Sequence, residues 1–403
     1  MFHDALVPFA ERWIITMEYR LCDDTWDEGE EKAIDEVLKS HMFTMGKKVK
    51  EYEEQFAKKV GTKYAVMVNS GSSANLVAIM SLLYSGKLKK GDEVLVTAVS
   101  WSTTYFPLTQ AGLKIRFVDI DAETLNIDVD KIEEAITNQT KMIFLVNLLG
   151  NPNDFDKVRE ICGRHGLFYA EDNCESLGAE YKGKKTGSFG VFGTFSTFFS
   201  HHLCTMEGGV VTTNDEELFH YMLCVRAHGW TRNLPSDSKI YSKVGDDFYE
   251  SYNFIVPGYN LRPLEIEAAV GIEQIKKWDR IIGQRRKNAK YFQQKLDEIS
   301  GIRTQKEIGE SSYFGFPIIL EKENRGRRDE VIKYLVEKEI EVRPIVAGNF
   351  TKNQAVKYMN YSIYGTLDNA NEIHENGFFV GNHSCNNQEE VDYLIQCLKE
   401  ICK

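Results

Sequence analysis

The stretch YAVMVNSGSSANLVAIMSLL, residues 64–83, joins an apolar β-rich run to an apolar helical run through a turn of small residues. Residues 64–70 predict a strand and residues 74–83 predict a helix, because serine and glycine separate the two apolar runs. A strand that passes through a tight turn into a helix is the repeating unit of a parallel sheet. The stretch therefore predicts an α/β fold.

The same alternation continues along the chain. A helix is expected at residues 154–165. Further strands are expected at residues 93–98, 114–120, 141–147 and 167–172, and in the runs that begin at Val191 and Gly208. Short apolar strands that alternate with helices favour a mainly parallel, mixed sheet with helices on both faces.

The chain after residue 262 predicts a smaller domain of the α+β kind. Its expected elements are a long helix at residues 263–299, a strand at 313–320, a helix at 327–338 and a strand at 341–346. An amphipathic C-terminal helix is indicated by apolar residues on one face, namely Val391, Leu394, Ile395, Leu398 and Ile401. We expect a large domain over residues 1–262 and a small one over residues 263–403.

Composition excludes several classes of protein. The net charge of −11 over 403 residues argues against nucleic acid as a partner, which requires a basic face. No apolar run reaches the roughly 18 residues of a membrane span, and the first residues do not resemble a signal peptide. The eight cysteines form no C-x-x-C pair, so no metal site is expected. We expect a cytoplasmic protein with no membrane partner.

Two features after predicted strands are suited to a phosphorylated, planar ligand. Gly71 permits close backbone approach, and Ser72 adds a hydroxyl at a helix N-terminus, which favours an anion. The alternative for this turn is a simple helix cap. Trp101, just after the second strand, offers a flat ring for stacking, although a core tryptophan is the alternative.

Asp172 ends an apolar strand, where a carboxylate is costly without a cationic partner. A protonated pyridine nitrogen would be such a partner, and the ion pair would keep the ring electron-withdrawing. The alternative is that Asp172 caps a helix, which aspartate does well.

The segment GTFSTFFSHHLCTMEGG, residues 193–209, carries the most specific pattern. Together with the features above, it resembles the DegT-type family of nucleotide-sugar aminotransferases, a branch of the aspartate-aminotransferase fold, over nearly the whole chain. In that family a serine is followed five residues later by the lysine that holds pyridoxal phosphate, and then by Glu-Gly-Gly. Here Ser196 takes the serine position and Glu207 begins the Glu-Gly-Gly, so His201 stands in place of the lysine.

The resemblance implies fold type I of the PLP-dependent transferases and binding of pyridoxal 5′-phosphate or pyridoxamine 5′-phosphate. Imidazole forms no stable Schiff base, so the cofactor is expected to bind non-covalently, while histidine can still move protons near neutral pH. This combination resembles the dehydratase branch of the family. The dehydratases of CDP-sugars carry a cysteine cluster after the histidine. Only Cys204 and Cys224 stand between His201 and Cys385, so no iron–sulfur cluster is expected.

By the same resemblance, several residues would bind the cofactor. Asp172 would pair with the pyridinium nitrogen, Trp101 would stack on the ring, and Glu175 would lie near the phenolic oxygen. The phosphate would be held by Gly71, Ser72 and Ser196.

Other residues would act on the substrate or across a subunit boundary. His201 is implied as the base, and His228 in RAHGW as a second active-site histidine, with a buried structural histidine as its alternative. Asn260 in PGYNLRPLE would reach the cofactor phosphate of the neighbouring subunit, which implies a homodimer with a shared active site. Arg343 and Asn349 would bind the sugar nucleotide; for Arg343 the alternative is a surface ion pair.

The implied reaction is loss of the C3 hydroxyl from a nucleotide-linked 4-keto-6-deoxy sugar, with GDP-4-keto-6-deoxy-D-mannose as the expected substrate. Such a lyase serves dideoxysugar biosynthesis, as of colitose for lipopolysaccharide O-antigen. L-Glutamate would donate the amino group, and ammonia would be released. Two alternatives stay open: an aminotransferase that uses histidine, and a catalytically inactive binding protein on the same scaffold.

Overall fold

The computed structural model describes residues 17–402 of the chain. The strands of this part are β1 (Tyr64–Val68), β2 (Glu93–Thr97), β3 (Lys114–Val118), β4 (Thr140–Val146), β5 (Phe168–Asp172), β6 (Glu180–Tyr181), β7 (Lys184–Lys185), β8 (Gly193–Ser196), β9 (Gly209–Thr213), β10 (Ile302–Arg303), β11 (Gly315–Leu320), β12 (Val342–Arg343), β13 (Tyr361–Ile363) and β14 (Gly377–Gly381). Its helices are α1 (Glu28–Ser40), α2 (Lys47–Val60), α3 (Gly71–Tyr84), α4 (Ser102–Gln110), α5 (Val129–Ala135), α6 (Phe155–His165), α7 (Glu216–Arg226), α8 (Asp247–Glu250), α9 (Glu265–Leu296), α10 (Arg328–Glu337), α11 (Asp368–Asn376) and α12 (Gln388–Ile401).

The larger sheet of the described chain has eight strands in the order β1-β9-β8-β5-β4-β2-β3-β13. β9 runs antiparallel to both of its neighbours, β1 and β8. All the pairs from β8 across to β13 are parallel. The predicted mixed, mainly parallel sheet is therefore confirmed.

Successive residues of the buried strands enter cores on opposite faces of this sheet. Val66 and Val68 of β1 pack with α3 on one face. Ala65 and Met67 of the same strand pack with α2 and α9 on the other face. Because side chains alternate along a strand, a strand covered on both faces must be apolar at every position. This requirement explains the continuous apolar runs of the sequence.

The smaller sheet is antiparallel, in the order β10-β11-β14-β12. It shares a core with the end of α9 and with α10 and α12, where Phe316 of β11 stacks on Phe292 of α9 at 4.4 Å between ring centroids. Tyr19, near the start of the described residues, belongs to this core as well, and its hydroxyl donates to the carbonyl of Gly381 at 2.7 Å.

Each of the two sheets receives a segment from the other side of residue 262. Tyr19 packs on the smaller sheet, whereas β13, late in the chain, pairs in parallel with β3 of the larger one. The division into domains at residues 1–262 and 263–403 therefore stays a prediction.

The long helix α9 is tied to α2 at its first residue. The buried carboxylate of Glu265 accepts from the backbone N–H groups of Gly46, Lys48 and Val49 at 2.7, 3.0 and 2.9 Å. The first N–H groups of a helix lack partners within the helix, and α2 has no cap of its own from a neighbouring side chain. Glu265 therefore fixes how α9 meets the larger sheet.

The sequence predicted most strands of the larger sheet, whereas β13 and several helices were not predicted and the smaller sheet differs. The strand expected at residues 341–346 shrinks to β12, because Pro344 cannot donate to a sheet ladder. The prediction missed β14, which follows α11 without a break and lies between β11 and β12. Among residues 17–402, no helix is long and apolar enough to cross a bilayer.

Candidate active site

The predicted site residues gather at the carboxyl ends of the parallel strands. Asp172 ends β5 and Ser196 ends β8. Gly71 begins the helix after β1, and Trp101 lies between β2 and α4. Ligands of open α/β sheets bind at this edge. The fold therefore brings four separate stretches of sequence to one place.

Asp172 is buried and held by polar side chains on both sides. Its Oδ2 accepts from Nδ2 of Asn75 at 2.9 Å and from the hydroxyl of Thr104 at 2.8 Å. Its Oδ1 accepts from the backbone N–H of Cys174 at 3.1 Å. Asn75 is oriented in turn by the hydroxyl of Thr194, which donates to its Oδ1 at 2.6 Å. Asp172 caps no helix, so that alternative is wrong, and its carboxylate is fixed in direction at the strand end.

The turn before α3 combines a helix cap with free donors. The hydroxyl of Ser70 accepts from the N–H of Ser73 at 3.1 Å, and the Ser70 carbonyl accepts from Ala74 at 3.0 Å. The N–H groups of Gly71 and Ser72 lie ahead of these on the first helical turn, where the helix dipole favours an anion. Ser70 makes the helix cap, so that alternative is confirmed, and the anion site at Gly71 and Ser72 stays a prediction.

Gly71 forms a close contact that no larger residue allows. A Cβ placed there would lie 2.7 Å from Cβ of Ser196 and 2.9 Å from Sγ of Cys174. The start of α3 and the end of β8 thus touch through backbone and short side chains. This contact brings Gly71 beside Ser196, and the role of Gly71, Ser72 and Ser196 at a phosphate stays a prediction.

Trp101 is 58% exposed, which rules out the core alternative. It precedes α4, and its carbonyl accepts from the N–H of Thr104, the residue that also binds Asp172. The neighbouring Thr103 accepts from the hydroxyl of Ser72 at 3.2 Å. The backbone of Trp101 is therefore tied to a residue that binds Asp172, and its exposed side chain is available for a ligand; the stacking role of Trp101 stays a prediction.

Glu175 lies three residues after Asp172 and is half-buried. Its Oε2 accepts from the backbone N–H of Leu149 at 3.0 Å. Burial raises the pKa of Glu175 to about 7, and the negative charge of Asp172 acts in the same direction. The carboxyl group is thereby able to exchange a proton near neutral pH.

His201 is half-buried in the loop between β8 and β9. Its Nδ1 is buried and has no hydrogen-bond partner among the described residues. Its ring meets the edge of Phe314, with 5.0 Å between centroids. Burial lowers the pKa of His201 to about 4, and the positive charge of Arg285 adds to the shift. The imidazole is therefore neutral and able to accept a proton over the physiological range.

His228 and Asn260 form a second cluster on the chain that passes the end of β1. The N–H of His228 donates to the carbonyl of Tyr259 at 2.7 Å, and its ring packs edge-on against Trp230 at 5.0 Å. The exposed amide of Asn260 accepts from Nε of Arg262 at 3.0 Å. His228 is half-buried, and its positive φ of 60° is uncommon for a residue with a side chain. No hydrogen bond or ring contact within residues 17–402 joins His228 to His201.

Arg343 and Asn349 have different surroundings. Arg343 is exposed on β12 and pairs in register with Phe379, whose ring lies 6.2 Å from that of Phe314. The structure therefore places Arg343 on the sheet face that leads towards His201, and it forms no ion pair with a described residue. Asn349 is buried, and its amide donates to Asn371 and accepts from Thr351. Its substrate role stays a prediction, since these partners occupy the amide group.

Several residues of the site were not predicted from the sequence. Asn75 and Thr104 orient Asp172. Phe314 and Arg285 lie near the histidine loop, which is the segment 197–208 between β8 and β9 that carries His201. The signal for Asn75 was its position in an otherwise apolar, fully packed helix, where an amide requires a partner. No comparable signal marks Phe314, because its contact with His201 spans more than a hundred residues of chain.

No cluster of three or more histidine, cysteine or acidic side chains within the described chain is arranged to hold a metal ion. The eight cysteines, all within that range, are free.

Comparison with known proteins matches both the sequence and the fold. The sequence profile of the DegT/DnrJ/EryC1/StrS aminotransferase family matches residues 24–399. GDP-4-keto-6-deoxy-D-mannose 3-dehydratase of Escherichia coli O55:H7 is 54% identical over 387 residues, which cover 95% of this chain and 100% of that relative.

Two solved structures match with a TM-score of 0.93 each. One is GDP-4-keto-6-deoxymannose-3-dehydratase with a trapped PLP-glutamate geminal diamine, 53% identical over 94% of this chain and 100% of that one. The other is a mutant of the enzyme of that name with bound GDP-perosamine, 52% identical over 94% of this chain and 100% of that one. The predicted PLP-dependent transferase fold is confirmed.

Proposed function

Because the chain belongs to the DegT/DnrJ/EryC1/StrS aminotransferase family, we propose that it is a pyridoxal-phosphate-dependent 3-dehydratase of GDP-4-keto-6-deoxy-D-mannose. It removes the C3 hydroxyl of this sugar, takes its amino group from L-glutamate and releases ammonia. The observation that carries the proposal is a neutral, half-buried His201 at the position where aminotransferases of the family hold a lysine. The 54% identity to an enzyme of this activity supports it.

The residues of the site fit pyridoxal phosphate. Gly71, Ser72 and Ser196 form a cradle of small groups at a helix N-terminus, in which a Cβ at Gly71 would collide with Ser196. A phosphate is the anion that such a site accepts. Trp101 offers an open ring face, and the buried carboxylate of Asp172 suits a protonated ring nitrogen.

When bound, pyridoxal phosphate supplies an electron-withdrawing ring that stabilises negative charge on the carbon next to the amine it carries. Asp172 holds the proton on the pyridine nitrogen, and Asn75 and Thr104 keep its carboxylate pointed in one direction. Glu175 exchanges a proton with the phenolic oxygen, for which its raised pKa of about 7 is suited.

His201 moves the protons of both half-reactions. Its neutral imidazole first takes the proton from the α-carbon of glutamate. It would return this proton to the carbon that bears the amine, which frees the imidazole again. Once the amine has condensed with the 4-keto group of the sugar, His201 would take a proton from that carbon and pass it to the C3 hydroxyl, which leaves as water. The low pKa of His201 keeps the imidazole unprotonated before each transfer.

No lysine replaces the missing one. The lysines nearest to His201 in sequence are engaged elsewhere, Lys185 with Glu180 at 3.5 Å and Lys239 with Glu216 at 3.7 Å. A lysine amine would displace an amino product from the cofactor by transimination. Imidazole does not, so elimination with release of ammonia is the route left open.

The active site is completed by a second copy of the chain. The resemblance assigns Asn260 to the cofactor phosphate of the neighbouring subunit, and its side chain is exposed. The stretch around α8 also exposes large apolar side chains, which are Val244, Phe248, Tyr249, Tyr252 and Phe254. Large apolar side chains exposed together in one stretch of chain are typical of a protein interface. These features support a homodimer with shared sites.

The sugar nucleotide is bound by residues around the mouth of the site. The exposed guanidinium of Arg343 forms no ion pair with a described residue and donates only to the carbonyl of Val342, so it suits a diphosphate through charge-assisted hydrogen bonds. His228 lies beside Trp230 and the segment that carries Asn260. We assign Arg343 to the nucleotide and His228 to the sugar.

The decisive test is incubation with L-glutamate and GDP-4-keto-6-deoxy-D-mannose, with ammonia and the mass of the sugar product as readouts. A 3-deoxy-4-keto product and stoichiometric ammonia are expected. An aminosugar without ammonia would instead make the protein an aminotransferase, and failure to bind pyridoxal phosphate would make it an inactive scaffold protein.

Two companion measurements sharpen the test. Borohydride reduction of the resting enzyme should leave no cofactor covalently attached. The variant His201→Asn should lose the reaction by roughly 10²–10⁴-fold, the usual contribution of a general base. The matched variant His165→Asn, at a surface histidine paired with Glu133, should keep full activity.

A further inference from the structure

His202, the residue after the proposed base His201, forms a hydrogen bond with a residue distant in the sequence. Its side chain is fully buried, and its Nε2 lies 3.2 Å from the backbone carbonyl of Ser312. A carbonyl oxygen accepts and never donates, so Nε2 must carry the proton. Burial holds the pKa of His202 well below its usual range, with Arg285 and His201 acting in the same direction. His202 is therefore a neutral imidazole with one fixed tautomer.

The segment that receives this hydrogen bond is itself held rigidly. The N–H of Ser312 donates to Gly150 at 3.0 Å, and the N–H of Phe314 donates to Leu149 at 2.9 Å. Tyr313, between them, has a positive φ of 46°, a conformation that its surroundings must enforce.

Two buried side chains bind the carbonyl groups of the same segment. Nη1 of Arg285 donates to the carbonyls of Tyr313 and Phe314 at 3.3 and 3.2 Å. The amide of Asn382 donates to the Tyr313 carbonyl at 2.9 Å. The backbone of this segment is thus held in place by several hydrogen bonds, so a bond to it can hold the histidine loop in place as well.

The same segment confines the ring of the base. Phe314 lies edge-on to His201 at 5.0 Å and tilted against His202 at 5.7 Å. On its other side, His201 meets the ring of Phe198 at 6.0 Å. The loop is closed at its base, where Thr197 and Thr205 are paired through the backbone at 2.8 Å.

We propose that His202 is a positioning residue for His201, acting through the hydrogen bond from its Nε2 to the Ser312 carbonyl. The bond holds the loop against the Ser312–Phe314 segment, so that the His201 imidazole keeps one orientation in the site. This inference rests on the proposed function, in which His201 moves the protons.

The test compares three variants of His202 that differ in where their side chain places a hydrogen-bond donor. Glutamine places its amide nitrogen near the position of Nε2, whereas asparagine is one carbon shorter and leucine has no donor. The first readout is the single-turnover reaction of the pyridoxal-phosphate form with glutamate, followed by absorbance. We expect His202→Gln to stay within about threefold of wild type, and His202→Asn and His202→Leu to be about 10- to 100-fold slower at saturating glutamate, as for a misplaced catalytic group. KM for glutamate and the Kd for pyridoxal phosphate should hardly change.

A second readout does not depend on activity. In protein labelled with ¹⁵N-histidine and free of cofactor, the His202 resonances, identified by their loss in His202→Gln, should show a neutral ring protonated at Nε2 between pH 6 and 8. This measurement tests the hydrogen bond on the wild-type chain even where the asparagine or leucine variant does not fold. His165→Leu, at the surface, serves as the control for histidine loss and should match wild type.

Three results would overturn the inference. They are a proton on Nδ1 of His202, equal rates for the leucine variant and wild type, and equal losses for the glutamine and leucine variants in folded protein. If the wild-type enzyme binds pyridoxal phosphate but does not react with glutamate, the proposed function fails, and the inference fails with it. Equal rates in a reactive wild type and His202→Leu defeat the inference alone.

Discussion

The carboxylate of Asp172 shows how one residue of the site depends on two neighbours. Oδ2 receives two donors, from Asn75 and Thr104, so an amide at this position would have to turn a donor towards another donor. The pattern of the sequence located the aspartate, because a carboxylate at the end of an apolar strand is unusual. It did not locate Asn75 or Thr104, because their role follows from the packing of α3 and α4 against β5.

We predict that Asp172→Asn weakens binding of pyridoxal phosphate by about 1.5–3 kcal/mol, or roughly tenfold to hundredfold, the range for a hydrogen bond to a charged group. The loss of negative charge removes the partner of the ring nitrogen, and the buried network is left with a mismatched donor. Fluorescence titration with the cofactor measures the change. Asp154→Asn is the matched control, since Asp154 caps α6 and asparagine caps equally well. Unchanged affinity in Asp172→Asn would show that the charge does not bind the cofactor.

The pKa values of His201 and Glu175 predict the pH dependence of the glutamate half-reaction. The pKa of His201 is lowered to about 4, so the base stays unprotonated until the pH falls towards 4. The pKa of Glu175 is raised to about 7, so this group loses its proton as the pH rises through 7. We expect one inflection, near pH 7 and set by Glu175, and none from His201 between pH 5 and 9, measured by stopped-flow absorbance over that range.

The variant Glu175→Gln separates the two groups. The inflection near pH 7 should vanish in this variant, because glutamine does not titrate, while the rate at low pH should still follow His201. An acid limb with a midpoint near 6.5 in both proteins would contradict the lowered pKa of His201.

At the scale of elements, α3 can approach β8 closely because residue 71 is a glycine, which has a hydrogen atom in place of a side chain. A Cβ at Gly71 would fall 2.7 Å from Ser196, so one of the two elements must move. The turn before α3, which is predicted to bind an anion, is built by this contact, and any displacement changes the direction of its N–H groups.

We predict that Gly71→Ala destabilises the fold by about 1–3 kcal/mol, the usual cost of overpacking, and weakens cofactor binding as well. Gly163→Ala is the matched control. Gly163 lies in α6 with open space around its Cα, so alanine there should stabilise by roughly 0.5–1 kcal/mol. Thermal unfolding with and without pyridoxal phosphate measures both effects. Equal stability in the two variants would contradict the close contact.

The sequence predicted the apolar strands that turns separate better than the short strands and those without a clear boundary. Strands such as β1 and β4 are apolar throughout and separated by clear turns, so their periodicity marks them. β14 follows α11 directly and β13 has only three residues, so neither has a boundary or a period of its own. Both are strands because partners distant in sequence, β11 and β3, align them.

At the scale of the whole molecule, we predict that each active site needs two copies of the chain. His201→Asn should lack the base, and Asn260→Asp should repel the cofactor phosphate of its neighbour, so each variant alone should be inactive. In heterodimers formed by unfolding and refolding an equal mixture, one site carries both changes and the other carries neither. Random pairing in a two-fold dimer restores about a quarter of wild-type activity.

The control for this experiment is a mixture without exchange of subunits, which should stay inactive. Absence of any recovery in refolded mixtures, with dimers confirmed by light scattering, would show that Asn260 acts within its own chain.

The parallel pair of β3 and β13 has a consequence for how the protein is made. Arg116 of β3 and Ser362 of β13 are hydrogen-bonded although 246 residues separate them. At roughly 5–20 residues per second, a ribosome needs on the order of tens of seconds to deliver the second strand after the first. During that interval the nascent chain carries an open sheet edge, the kind of surface on which polypeptides aggregate. Slower translation should therefore lower the yield of native enzyme, and chaperones that shield strand edges should restore it.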